Sequence, residues 1–113
     1  MTFISRLAGR FWGLPPARNE VAVERDLQVP MPDGTVLLAD HYAPVGPGRF
    51  PSILVRSPYG RSGVYGLVAG RLFAERGYHV LIQSCRGTFG SGGEFYPVRN
   101  EAADGRATIE WLA

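Results

Sequence analysis

Apolar and polar residues alternate along the first clear element of the chain: Val21, Val23, Leu27 and Val29 are interleaved with Ala22, Glu24, Asp26 and Gln28. A period of two puts one set on one face, so the stretch reads as a half-buried β-strand, with Arg25 its one exception. Pro32-Asp33-Gly34 follows. It combines a fixed φ, a side chain that bonds its own backbone and a glycine able to take positive φ, which is a turn. Residues 36–42 make the returning strand, and 21–42 is predicted to be an antiparallel hairpin. Pro44, Gly46, Pro47 and Gly48 lead to Ile53, Leu54 and Val55, a continuous apolar run of the kind found in strands buried on both faces. Tyr65, Val68, Ala69, Leu72 and Phe73 then recur at helical spacing. Gly66 and Gly70 weaken that helix by up to ~1 kcal/mol each. Arg76-Gly77 stops it, with a cation in the last turn and glycine just beyond. Tyr78-His-Val-Leu-Ile-Gln83 repeats the buried-strand pattern.

Strand, helix, strand is a βαβ unit, expected to be parallel and right-handed. The fold class is therefore α/β, an antiparallel hairpin leading into a parallel sheet. A glycine-rich loop follows from Arg86 to Pro97. Asn100 is placed to cap a final helix, with Glu101 and Asp104 in its favoured first turn. Ala103, Ala107 and Trp111 line one side of that helix, with Ile109 and Leu112 close by. No glycine, cation or proline closes it before Ala113. A sheet edge and a helix face are left without partners, so the chain reads as the front part of a larger fold. Residues 1–20 form a lead segment in which Phe3, Ile4, Leu7, Phe11 and Trp12, with Arg6 and Arg10 between them, make a short amphipathic helix ended by Leu14-Pro15-Pro16. Residues 21–113 form the α/β part.

Composition narrows the function classes. The 113 residues are 45% hydrophobic, and all twelve cations are arginines. They are scattered along the chain, whereas a nucleic-acid footprint concentrates them on one face. One cysteine excludes an internal disulfide and a cysteine-cluster metal site, and fits a reducing, cytoplasmic compartment. No apolar run approaches the ~20 residues that span a bilayer. The lead segment lacks the uninterrupted core of a signal peptide.

Candidate chemistry is sparse. A Walker loop needs lysine, which the chain lacks, and Gly87, Gly90, Gly92 and Gly93 miss the dinucleotide spacing. Neither a cofactor nor a metal is expected. Cys85 and His79 lie six residues apart on one strand, ~20 Å at strand rise, too far for a nucleophile and its base. His41 reads as an edge or half-buried histidine. Ser62 and Ser91 lack glycines at the offsets of a Gly-x-Ser-x-Gly elbow, so no nucleophile is assigned. One position is better placed. Pro58 ends the strand at Ser57, and Ser57-Pro58-Tyr59-Gly60 suits a type I turn with Tyr59 at its tip. Open α/β sheets bind ligands at the carboxyl ends of their strands.

Five blocks in order carry a resemblance: Val29-Pro-Met-Pro-Asp-Gly-Thr-Val-Leu-Leu-Ala-Asp40; Arg56-Ser-Pro-Tyr-Gly-Arg61; Arg76-Gly-Tyr78; Arg86-Gly-Thr-Phe-Gly-Ser-Gly-Gly-Glu-Phe-Tyr96; and Asp104-Gly with Ile109-Glu-Trp111. Over residues 21–113 the chain resembles the start of X-Pro dipeptidyl-peptidase and cocaine-esterase-like (CocE/NonD-type) serine acyl hydrolases. The resemblance implies an incomplete α/β-hydrolase fold. It also implies a small ester, amide or peptide substrate, and a role for Tyr59, whose hydroxyl would enter the oxyanion hole. Many relatives carry aspartate where Ser84 stands. The elbow, acid and histidine of the resemblance would all follow the final helix, so this chain alone is expected to be inactive. Two alternatives stand beside that reading: a truncated, non-catalytic product that self-associates through its open sheet edge, and a small binding module using the 87–93 loop.

Overall fold

A computed structural model describes residues 19–61, 66–95 and 99–112. The helix expected within residues 1–20 lies outside them, apart from Asn19 and Glu20. Four strands form one mixed sheet: β1 (Val21–Pro30), β2 (Val36–Pro44), β3 (Ser52–Ser57) and β4 (His79–Ser84), in the order β1-β2-β4-β3. The hairpin is antiparallel, β2 pairs antiparallel with β4, and β3 and β4 are parallel, from Ser52 opposite His79 to Ser57 opposite Ser84. The α/β reading therefore holds.

The hairpin departs from simple alternation at one place. Val23 pairs with Tyr42, but Leu27 pairs with Ala39, so Arg25 and Asp26 accommodate an extra residue in β1. An extra residue reverses every side chain beyond it. Val21 and Val23 accordingly pack with Tyr42, Val80 and Ile82 on one face, whereas Leu27 and Val29 pack with Leu37, Ala39 and Leu81 on the other. The expectation of one uniform face along β1 is corrected by this bulge. Asp26 takes positive φ there (56°), and its N–H donates to Asp40 Oδ1 at 3.0 Å.

The crossover helix α1 is wound as a π-helix over Gly66–Arg71 and as an α-helix over Leu72–Ala74. Its glycines have a packing reason. A Cβ on Gly70 would lie 2.7 Å from the buried Tyr42 ring, and one on Gly66 would lie 2.6 Å from the Tyr42 hydroxyl. The helix therefore lies against the tyrosine at a distance that only glycine allows.

The second helix, α2 (Glu101–Leu112), begins as expected, with the Asn100 carbonyl accepting the Asp104 N–H at 3.0 Å. Its buried face differs from the expected one. Asp104 and Thr108 are buried, while Ala103, Ile109 and Trp111 face outward; Ala107 and Leu112 pack partly against the sheet. The reason is polar docking. Thr108 Oγ1 accepts from Gln83 Nε2 (2.8 Å) and donates to the Asp104 carbonyl (2.8 Å), and both Asp104 oxygens accept from Arg86 (2.7 and 3.0 Å). No described helix is long and apolar enough to cross a membrane.

Candidate active-site cleft

The parallel strands deliver their carboxyl ends side by side, and a cleft of about 510 Å³ opens there between Arg56, Pro58, Tyr59, Cys85, Thr88, Phe95 and Glu101. Tyr59 stands at its rim with 72% of its surface exposed. The reversal that carries it is held differently from the expected type I turn. Ser57 Oγ accepts the Tyr59 N–H at 3.0 Å, and the Ser57 carbonyl is taken by the Cys85 N–H at 3.0 Å. Serine thus ties the turn to itself with its side chain and to β4 with its backbone. Gly60 follows at φ 107°, with the Phe89 ring 3.4 Å from where a Cβ would stand.

An arginine network lies under this turn. Arg61 donates to Asp40 Oδ1 (3.2 Å), Asp26 Oδ1 (2.5 Å), Ser84 Oγ (2.5 Å) and the Phe89 carbonyl (2.9 Å). Arg25 adds a contact to Asp40 Oδ2 at 3.1 Å. One guanidinium therefore joins the β1 bulge, β2, the end of β4 and the glycine-rich loop to the turn after β3. Ser84 takes part in this network as a neutral acceptor. Arg61 is neither a nucleophile nor a base, so no catalytic motif marks it. Its signal was the arginine directly after Tyr59-Gly60.

The glycine-rich loop bends over the strand ends. Gly87 N–H donates to the Gly92 carbonyl and Gly92 N–H to the Val36 carbonyl, each at 2.8 Å. Ser91 Oγ accepts the Leu38 N–H and donates to the Ser84 carbonyl, each at 2.9 Å. A hydroxyl so engaged and so buried is not poised for attack. Arg86 spans from Asp104 to Asp33 and Thr35, and its proton is held more firmly than usual, chiefly by Asp104. Asp33 lies below the usual carboxylate range, through the Thr35 N–H first and Arg86 second.

Within the cleft, Arg56 Nη1 pairs closely with Glu101 Oε2, and Arg56 Nε donates to Gln83 Oε1 at 2.8 Å. Cys85 is buried, its thiol pushed up by burial and then by Glu101, so it stays protonated at neutral pH. The expected separation of Cys85 from His79 stands, because His79 opens β4 and Cys85 follows its end. Ser62 lies outside the described residues. Among the described residues no group of three or more His, Cys, Asp or Glu side chains is placed to hold a metal ion.

Comparison with known proteins places this cleft in context. Residues 33–113 match the family model described as X-Pro dipeptidyl-peptidase (S15 family). A cocaine esterase from Rhodococcus sp. (strain MB1 Bresler) is 38% identical over 95 residues, which are 80% of this chain and 17% of that protein. The structure of a CocE/NonD family hydrolase from Staphylococcus aureus superposes with a TM-score of 0.70 at 26% identity, over 81% of this chain and 20% of that one. An α-amino acid ester hydrolase superposes with a TM-score of 0.67 at 29% identity, over 83% of this chain and 19% of that one. The chain thus spans about a fifth of the length of these relatives.

Proposed function

Because this chain belongs to the X-Pro dipeptidyl-peptidase (S15) family, we propose that it supplies one side of the oxyanion pocket of a serine acyl hydrolase, through the Tyr59 hydroxyl. The substrate class is an ester, an amide or an X-Pro peptide, cleaved through an acyl-enzyme. One observation carries the reading. Tyr59 is fixed by backbone and side-chain bonds at the carboxyl end of β3, yet its ring stays at the rim of an open cleft.

The chemistry follows from that position. Attack on a carbonyl moves negative charge onto its oxygen, and a donor aimed at that oxygen lowers the barrier by ~3–4 kcal/mol when ~2.7–3.1 Å away. A phenol O–H on a turn whose backbone is already bonded needs little reorganisation to act as that donor. In this fold the loop after the third strand is a standard place for half of the oxyanion hole. No Gly-x-Ser-x-Gly elbow occurs in the 113 residues, so the nucleophile, acid and histidine of the complete reaction are assigned to none of them.

The test is Tyr59→Phe in a polypeptide that carries this chain together with its Gly-x-Ser-x-Gly segment. The expected result is a kcat lower by ~10²–10³ on an activated ester, with KM little changed. Unchanged kcat would remove Tyr59 from the pocket. A fluorophosphonate probe should label that longer polypeptide and leave the 113-residue chain unlabelled. A second reading, a non-catalytic product that self-associates, draws on β3, which among the described residues is paired on one side only. Sedimentation as a monomer would discard it.

A further inference from the structure

The chain contains two histidines. Separated by 38 positions, they meet across β2 and β4, with His41 Nε2 3.1 Å from His79 Nδ1. The rings are stacked, centroids 5.2 Å apart and planes inclined by 26°. This pair lies at the opposite end of the parallel strands from Tyr59, ~20 Å away at strand rise. The acyl-transfer reading makes no use of it. We propose that His41 and His79 form a two-imidazole binding site for a borderline divalent cation of the Zn²⁺–Cu²⁺ class.

The distance fits one shared ion. Imidazole nitrogens bind such cations at ~2.0–2.1 Å, so two nitrogens 3.1 Å apart subtend ~100° at the metal. That lies between the square and tetrahedral angles these ions adopt. A cavity of about 230 Å³ adjoins the pair, lined also by Ser52, Leu81 and Leu112. With two protein ligands, the remaining positions fall to water, and at ~30 Å³ per water the cavity has room for several.

The surroundings favour ligation. Glu24 Oε1 on β1 lies 3.7 Å from His41 Nδ1, the ring nitrogen turned away from His79. A carboxylate behind a ligating imidazole fixes its tautomer and raises its basicity. Without a cation, one imidazole donates its N–H to the other. With a cation, the donor adopts its second tautomer; for His41 the proton then sits on Nδ1, toward Glu24, and none is released. The Phe50 ring packs edge-on against His79, centroids 6.0 Å apart, limiting its rotation. Among the described residues, Glu24 is the acidic group facing the pair.

Titration of the full chain with Cu²⁺, read by electron spin echo modulation, tests the proposal, because remote imidazole nitrogens give a signature that backbone amides do not. With two histidines in the chain, a two-imidazole signal at a dilution where the chain is monomeric identifies the site. His41→Gln and His79→Gln should each weaken binding by about tenfold or more and reduce the signal to one imidazole. Zn²⁺ should compete, and affinity should fall as pH drops through the imidazole range. A signal from one imidazole or none in the parent chain overturns the proposal, whether or not the variants fold. Affinity unchanged from that of the parent chain in both folded variants overturns it too.

Discussion

The two helices lie on opposite faces of one sheet and are held there by different physics. Helix α1 is seated by shape: glycines at 66 and 70 admit the Tyr42 ring, and Ala69 and Ala74 fill the space beside it. Helix α2 is seated by a buried polar layer, in which Asp104 and Thr108 meet Arg86, Arg56 and Gln83. A shape-fitted contact tolerates no added volume. A hydrogen-bonded contact tolerates no lost partner. The polar layer also reaches the cleft, since Arg56 is shared between Gln83, Glu101 and the cleft wall.

The strongest way to break this contrast is Asp104→Ala. The carboxylate is 5% exposed and holds Arg86 through both oxygens, with Arg56 Nη2 3.8 Å away. Removing it leaves two guanidinium groups, on side chains 10% and 14% exposed, short of a counter-charge, and losing one partner of a buried pair destabilises by ~3–5 kcal/mol. Urea unfolding should register that loss as a lower midpoint with an unchanged slope. A change below about 1 kcal/mol would mean that α2 is held by its sparse apolar contacts instead.

On the other face the sensitive change is an addition. Gly70→Ala places a methyl group where three Tyr42 ring carbons lie within 2.9 Å. Overpacking of this kind destabilises by ~1–3 kcal/mol, more than the gain of up to ~1 kcal/mol in helix propensity. Gly66→Ala meets mainly the Tyr42 hydroxyl oxygen, at 2.6 Å. Tyr42→Phe should therefore rescue Gly66→Ala and leave Gly70→Ala unrelieved. A double-mutant cycle with equal coupling at both glycines would contradict this packing.

The same contrast explains what the chain disclosed before its structure. Continuous apolar runs mark β3 and β4, but only β4 is buried on both faces as such a run predicts; Ile53, Leu54 and Val55 of β3 are half-buried. The chain reversal after β3 was legible because Pro58 and Gly60 are local turn chemistry. The bulge in β1 was not legible, because Val21, Val23, Leu27 and Val29 keep odd numbers while the extra residue reverses their direction. The buried face of α2 was hidden for a different reason. Its residues are polar and find partners on β4 and the following loop, whereas the apolar spacing of Ala103, Ala107 and Trp111 pointed elsewhere. The histidine pair depends on β2 lying beside β4, two strands not consecutive in the chain, and no local pattern encodes that adjacency.

Adjacent positions on α2 allow the smallest test, and it inverts the usual hydrophobic rule. Thr108→Val keeps nearly the same shape and adds apolar character at a fully buried site. It also removes the acceptor of Gln83 Nε2, which lies 2.8 Å from Thr108 Oγ1, and an amide stranded in the interior destabilises by ~1–2 kcal/mol. Ile109→Ser removes a large apolar side chain, yet Ile109 is 59% exposed and lies outside both apolar clusters. Its effect on the chain should fall within ~0.5 kcal/mol of zero. The gain from a buried methyl would then be smaller than the loss of one hydroxyl, at a spacing of a single residue. If thermal unfolding instead ranks Ile109→Ser as the more damaging change, the helix is seated by its apolar side, and the polar layer that reaches into the cleft is not what positions it.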